Sequence, residues 1–251
     1  TLGDKKLKKT RIIYTETGKI QGYIEDGAHV FKGIPYAEPP VGELRLNAPE
    51  SKKSWNDVLV ALEYMPVAPQ PPDNFPPSHQ NEADCLNLNI WTPGCDNKKR
   101  PVLFWIHGGS HIMGSGRLLN GRDLSRKGDI VLVSINYRLG PLGYLYIPGA
   151  PPNVGQLDQI MALTWVHDNI ELFGGDSKNI TIFGQSAGAT SVCALMATPK
   201  ATGLFNRVIS QSGAVQPQGF EISTRKTTAE MILKELNLNH DDLQKCNLSY
   251  Y

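Results

Sequence analysis

Short β-branched and aromatic runs, joined in the later part of the chain by helical patterns, predict an α/β fold with a mostly parallel, doubly wound sheet. Two observations carry this. Several apolar runs are too short and too continuous to be amphipathic helices, and turn residues separate them. Between the later runs lie segments of helical periodicity, the crossovers that parallel neighbours need. A leading β-hairpin is expected at about Arg11–Glu16 and Lys19–Asp26, followed by strands near Leu86–Pro93, Val102–His107, Ile130–Tyr137, Asn179–Gly184 and Arg207–Gln211. Leu157–Phe173 carries Leu157, Ile160, Met161, Leu163, Trp165, Val166 and Ile170 on a wide apolar stripe, and Gly174-Gly175 stops it. Ala187–Ala197 reads as a helix of small residues with Pro199 just beyond its end. Residues 66–80 hold Pro66, Pro69, Pro71, Pro72, Pro76 and Pro77, which makes them a stiff irregular loop rather than a domain linker. No internal repeat is present, and one domain is expected.

Composition excludes several function classes. With 25 Lys+Arg against 24 Asp+Glu, the chain has no field to gather nucleic acid or an anionic membrane, so a polyanionic substrate is not expected. Lys5, Lys6, Lys8 and Lys9 form a short basic run that reads as a solvated tail. No apolar stretch has the length of a membrane span, and residues 1–20 lack the apolar region of a signal peptide, although a trimmed leader would leave no trace. Cys85, Cys95, Cys193 and Cys246 are too sparse and irregular for a disulfide framework and hold no CxxC pair. Free thiols in a reducing cytoplasm are expected, without a cofactor. Gly114-Ser115-Gly116 lacks both a leading strand and dinucleotide spacing.

Chemistry gathers at the carboxyl ends of the expected strands, where open α/β sheets place their sites. Ile180-Thr181-Ile182-Phe183 runs straight into Gly184-Gln185-Ser186-Ala187-Gly188 and then into the small-residue helix. That is the order of a nucleophile elbow: a strained turn holds the serine Oγ clear of the backbone, and glycines two residues away let strand and helix approach. A lone GxSxG is weak because both residues are common; between such a strand and such a helix it is much stronger. Upstream, Val102-Leu103-Phe104-Trp105-Ile106 ends in His107-Gly108-Gly109-Ser110. A glycine-rich turn after a strand can aim free backbone N–H groups at the oxygen that becomes negative during acyl transfer.

These segments, with others, resemble the type B carboxylesterase and cholinesterase family over nearly the whole sequence. The matching stretches are Phe31–Ala37 with Pro39-Pro40-Val41-Gly42, Asp84–Trp91, Trp105–Gly109, Asn136–Gly143, Leu157-Asp158-Gln159, Asn169-Ile170 with Phe173–Asp176, the serine elbow, and Ser210–Gly213. The resemblance implies an α/β-hydrolase fold in which Ser186 is acylated and the N–H groups of Gly109, Ser110 and Ala187 form the oxyanion hole. It implies hydrolysis of uncharged or weakly charged carboxylic esters.

This sequence departs from the family pattern in places. Ser110 stands where Gly or Ala is usual, and His111 where an aromatic is usual. Ala83 replaces an acidic residue that pairs with the arginine matching Arg45, with Glu82 one place away. Ala68 falls where secreted relatives carry the cysteine that pairs with the one matching Cys85, which points to a non-secreted, prokaryotic-type member. Relatives run to about twice this length, and their triad acid and histidine lie in the second half. Residues 1–251 therefore read as the N-terminal portion of a single α/β-hydrolase domain whose C-terminal strands are missing. Only His240 follows Ser186, inside what matches a surface helical segment. A serine without a base and its carboxylate is a poor nucleophile.

Other histidines offer little as substitutes. His111 lies near the expected site, as a wall or packing group before a proton carrier. His107 and His111 have the spacing of a metal pair, but the glycines between them break any regular helix and no third ligand is evident. His29, His79 and His167 have no partner motif. The alternative to an esterase is a non-catalytic binding or interaction relative, or a truncated one without its own base. A chain so divided is expected to self-associate through a bare sheet edge or to need a complementary C-terminal polypeptide.

Overall fold

The computed structural model describes residues 7–71, 79–213, 221–239 and 242. In chain order its elements are β1 (Lys8–Lys9), β2 (Ile13–Tyr14), β3 (Lys19–Gln21), β4 (Tyr23–Glu25), β5 (Ala28–Pro35), β6 (Val58–Val60), β7 (Asn87–Thr92) and β8 (Arg100–Ile106). They continue with α1 (Arg122–Gly128), β9 (Val131–Ile135), α2 (Gly140–Tyr144), α3 (Val154–Asn169), β10 (Gly175–Gln185), α4 (Ala187–Met196), β11 (Arg207–Gln211) and α5 (Ile222–Glu235).

The large sheet has the order β1-β4-β5-β7-β9-β8-β10-β11. Its site-bearing half, β9-β8-β10-β11, is parallel, whereas β1, β4, β5 and β7 extend it in antiparallel pairs. Alternation along β8 and β9 divides the core in two. Val102, Phe104, Ile106, Val131, Val133 and Ile135 join the main cluster with Leu163, Val166 and Val192 of α3 and α4, while Leu103 and Leu132 face a second cluster with Val30 and Trp91. Gly121, at the start of α1, sits against Leu132 and Trp91, so α1 covers that second face. Helices on both faces of a largely parallel half give the doubly wound α/β-hydrolase architecture.

The expected hairpin is present but shorter, and its second arm divides. β2 and β3 pair antiparallel in a small sheet with β6, and after Gly22 the chain crosses into the large sheet as β4. A Cβ on Gly22 would meet the Val30 carbonyl at 2.1 Å, so the backbones approach closely where the arm changes sheets. Lys8 and Lys9 are exposed as expected, yet they form β1 at the edge of the large sheet, where lysines discourage further pairing; Lys5 and Lys6 lie outside the described residues. The expected helix from Leu157 begins earlier, at Val154, and its last turn tightens to a 3-10 helix over Ile170–Phe173 before Gly174 turns left-handed at φ +82°. In the proline-rich loop, Val67 bridges Gln80, and residues 72–78 lie outside the described residues.

Buried ion pairs lock the site half in place. The carboxylate of Asp158 in α3 accepts from the Arg138 backbone N–H at 3.0 Å and from its guanidinium at 2.8 and 2.7 Å, both side chains being essentially inaccessible. Arg138 also donates to the Leu44 and Asn47 carbonyls. Glu82 takes both oxygens to Arg45, so the acidic partner lacking at Ala83 is supplied one residue earlier. Ala68 and Cys85 share the main core, with Cys85 a free thiol. Among the described residues, no helix is long and apolar enough to cross a membrane.

Candidate active site

Parallel pairing brings the motif-bearing strand ends to one side of the sheet. Gly184 is level with Ile106, and Gln185 with Gln211, so the turns after β8, β10 and β11 are neighbours. Ser186 occupies the turn after β10, at φ +55° and ψ −120°, between β10 and α4. Such a backbone costs a non-glycine residue on the order of 1–3 kcal/mol and persists only where its surroundings hold it. Here the Ser186 N–H donates to the Gln211 carbonyl at 2.9 Å, and its carbonyl accepts from the Thr190 N–H at 3.0 Å and hydroxyl at 3.4 Å. A Cβ on Gly184 would lie 2.4 Å from the Gly188 backbone, and one on Gly188 would lie 2.1 Å from the Ile106 carbonyl oxygen. The glycine spacing read from the sequence is a packing necessity.

The turn after β8 lies against this serine: a Cβ on Gly108 would come within 3.3 Å of Ser186 Cβ. Gly109 has φ +108°, and a Cβ there would lie 2.1 Å from the Met113 carbonyl oxygen, so only glycine fits. Ser110 and His111 follow in left-handed conformation, at φ +56° and +58°. Among the described residues, the backbone N–H groups of Gly109, Ser110 and Ala187 donate to no partner. Their peptides are nonetheless fixed. A trans peptide points its C=O and N–H in opposite directions, so gripping the carbonyl aims the amide. Gly108 O sits 2.8 Å from His107 Nδ1, Gly109 O accepts from Ile112 and Met113 N–H at 2.9 and 3.0 Å, and Ser186 O is held by Thr190. Each of the three free amides is thus fixed through the carbonyl of its own peptide.

Burial pushes the His107 pKa down from its ordinary 6.5 to about 4, against the opposing effect of the bond to Gly108. The ring is therefore neutral near pH 7, with Nδ1–H donating to Gly108 O and Nε2 buried without a partner among the described residues. It stacks on Tyr137 at 4.4 Å, whose hydroxyl donates to the His107 carbonyl at 2.7 Å. Gln70 braces the far end of the loop, donating to the Gly114 carbonyl at 3.1 Å and accepting from its N–H at 2.8 Å.

Comparison with known families matches residues 9–248 to the carboxylesterase family. The chain belongs to the carboxylesterase family. It is 42% identical over 245 residues to the para-nitrobenzyl esterase of Bacillus subtilis (strain 168), covering 94% of this chain and 50% of that protein. It is 47% identical over 244 residues to the phenmedipham hydrolase of Pseudarthrobacter oxydans, covering 93% and 48%. A thermophilic pNB esterase structure superposes with a TM-score of 0.90 at 41% identity, over 94% of this chain and 51% of that one. The chain thus spans about half the length of the carboxylesterases it matches.

Within this carboxylesterase frame, the structure sets Gly108, which leads directly into Gly109 and Ser110, against Ser186, with Ala187 following the serine. It does not bring an imidazole to Ser186: among the described residues, nothing bonds to its hydroxyl. His107 is spent on Gly108, and His111 Nε2 lies 3.1 Å from Ser191 Oγ. The described residues contain no group of three His, Cys, Asp or Glu able to hold a metal ion. His29 contacts Cys95, His167 contacts its neighbour Asp168, and His240 lies outside the described residues. Sequence reasoning missed Gln70, Gln159 and Ser191. Gln159 stood in a matched motif with no role attached, and Ser191 lies one helical turn and a little more beyond Ser186.

Proposed function

We propose that this chain carries the nucleophile and oxyanion hole of a serine carboxylesterase, as the N-terminal portion of a single α/β-hydrolase domain. The observation that carries the reading is the strained Ser186 packed against Gly108, whose turn continues into the free amides of Gly109 and Ser110, with the free amide of Ala187 following the serine. Ser186 Oγ attacks the ester carbonyl carbon, a C–O bond forms, and the carbonyl electron pair moves onto oxygen, where the amides receive it. Preorganised donors of this kind are worth on the order of a hundredfold or more in turnover each. The serine proton passes through a base to the departing alcohol, and water then cleaves the acyl-enzyme. That base and its carboxylate belong to sequence corresponding to the other half of the relatives. A near-neutral charge balance favours uncharged or weakly charged esters, and the names of the bacterial relatives support the same class.

The outermost described strand, β11, is exposed along most of its length, with Ile209 46% accessible. It supports either a complementary C-terminal polypeptide or self-association at that rim. The free thiols Cys85, Cys95 and Cys193 support a reducing, cytoplasmic setting. A fluorophosphonate probe on the protein carrying its complete hydrolase domain tests the central assignment. Ser186 is expected to be labelled, and Ser186→Ala to abolish labelling; a label on Ser210 or Ser212 overturns it. Without labelling or ester turnover in the complete protein, the non-catalytic reading replaces this one.

A further inference from the structure

The turn after β8 holds Ser110 and His111 consecutively in left-handed backbone, a conformation that costs roughly 1–2 kcal/mol for each such residue. Something outside the turn must hold it there. Gln70 grips Gly114, beyond the strained pair. His111 is gripped directly, from two helices. Its carbonyl accepts from the Gly140 N–H at 2.7 Å, and its ring lies 4.7 Å from that of Tyr144, both residues belonging to α2. On the other side its Nε2 is 3.1 Å from the hydroxyl of Ser191 in α4, the helix that starts immediately after Ser186.

Ser191 is itself fixed. Gln159, fully buried in α3, donates to the Ser191 hydroxyl at 3.2 Å and reaches the Tyr144 hydroxyl at 3.4 Å. A closed polar ring therefore runs from His111 through Ser191 and Gln159 to Tyr144 and back by ring contact to His111. Burial lowers the His111 pKa, and the Ala187 backbone within reach of the ring opposes that shift. The imidazole is thus a neutral hydrogen-bonding group near pH 7. An apolar aromatic at this position would keep the contact with Tyr144 but lose the bond to α4.

We propose that His111 is a positioning residue that ties the Gly109–Ser110 amides to the first turns of α4 through Ser191, setting their distance from Ser186. This rests on the oxyanion-hole reading above. The free amides come from two separate chain segments, and among the described residues the His111–Ser191 bond is a side-chain bond joining those segments. Displacing one segment by a fraction of an ångström weakens charge stabilisation in the transition state while leaving substrate docking unchanged.

The test uses the protein with its complete hydrolase domain and the variants His111→Phe, Ser191→Ala and both together. His111→Phe keeps the packing against Tyr144, and Ser191→Ala is a minimal change inside a helix, so one reports if the other folds poorly. With a p-nitrophenyl ester, kcat is expected to fall on the order of tenfold or more in each single variant with KM within about twofold. The double variant is expected to fall no further than the worse single, because both remove one bond. The second-order rate of fluorophosphonate labelling at Ser186 should slow in parallel. Additive losses, a change confined to KM, or parental kcat in both single variants overturns the proposal. If the parent protein is not labelled at Ser186, the oxyanion-hole reading fails and takes this inference with it. If the parent is labelled and His111→Phe is labelled at the parental rate, this inference alone fails.

Discussion

Gly188 passes so close to Ile106 that a Cβ on the glycine would sit 2.1 Å from the Ile106 carbonyl oxygen. Both partners are backbone, one at the start of α4 and one at the end of β8, so neither can swing away. Gly188→Ala is expected to cost about 3 kcal/mol or more and to move the elbow away from the Gly108 turn. Urea unfolding, read as a midpoint shift without a change in slope, checks it. A loss below about 1 kcal/mol would mean that helix and strand can part without consequence.

Asp158 and Arg138 form a pair almost wholly shut off from solvent, and removing one partner leaves the other charge buried alone. Asp158→Ala is expected to destabilise the protein by about 3–5 kcal/mol. Thermal unfolding of the variant at neutral pH measures this directly.

His107 predicts a particular acid sensitivity. Its folded pKa, about 4, is below the ordinary 6.5, so the unfolded chain binds the proton more readily. The stability that the neutral ring allows is complete above pH 6.5 and is lost as pH falls from 6.5 through 4. Denaturant midpoints across that window should therefore decline in the parent. In His107→Phe, which keeps an aromatic against Tyr137 but cannot titrate, that part of the decline should vanish even though the variant starts lower, having lost the bond to Gly108.

Ser110→Gly keeps the amide and relieves a left-handed residue, at the entropic cost of a further glycine in the unfolded chain. Turnover of the complete protein is expected to stay within about twofold, with stability changed by less than about 1 kcal/mol. A large loss of kcat would show that the Ser110 side chain, and not its N–H, matters.

Residues 1–251 expressed alone should associate through β11, whose outer edge no described strand covers. Size-exclusion chromatography should show species larger than the 27.6 kDa chain. Ile209→Lys, placing charge on that rim, should shift them toward monomer.

The strands carrying chemistry were legible because their ends are punctuated. Gly108-Gly109 and Gly184-Gln185-Ser186 terminate β-branched runs, and β11 was bounded at Arg207–Gln211 as observed. β5 does not stand out in the sequence as one continuous strand, since Gly33 at φ +71° lies in a register shift between Phe31 and Ile34 that interrupts the alternation. α1 and α5 were missed for another reason: α1 is seven residues of mostly polar sequence, and α5 is largely exposed, so neither shows a clear apolar stripe. At the site, residue types with a required place were readable. The bracing groups were not, because Gln70, Gln159 and Ser191 act through contacts with residues far off in sequence, as in the pairing of Gln70 with Gly114.

The bond from the Ser186 N–H to the Gln211 carbonyl makes the serine's posture depend on the outermost described strand. Fraying of that rim and loss of nucleophile alignment are consequently one variable. A protein in which β11 breathes would lose reactivity before it loses its core, and hydrogen exchange at the Ser186 amide would record each opening. Whatever seats itself against β11 would, by quieting it, also tune the serine at a distance, without touching substrate.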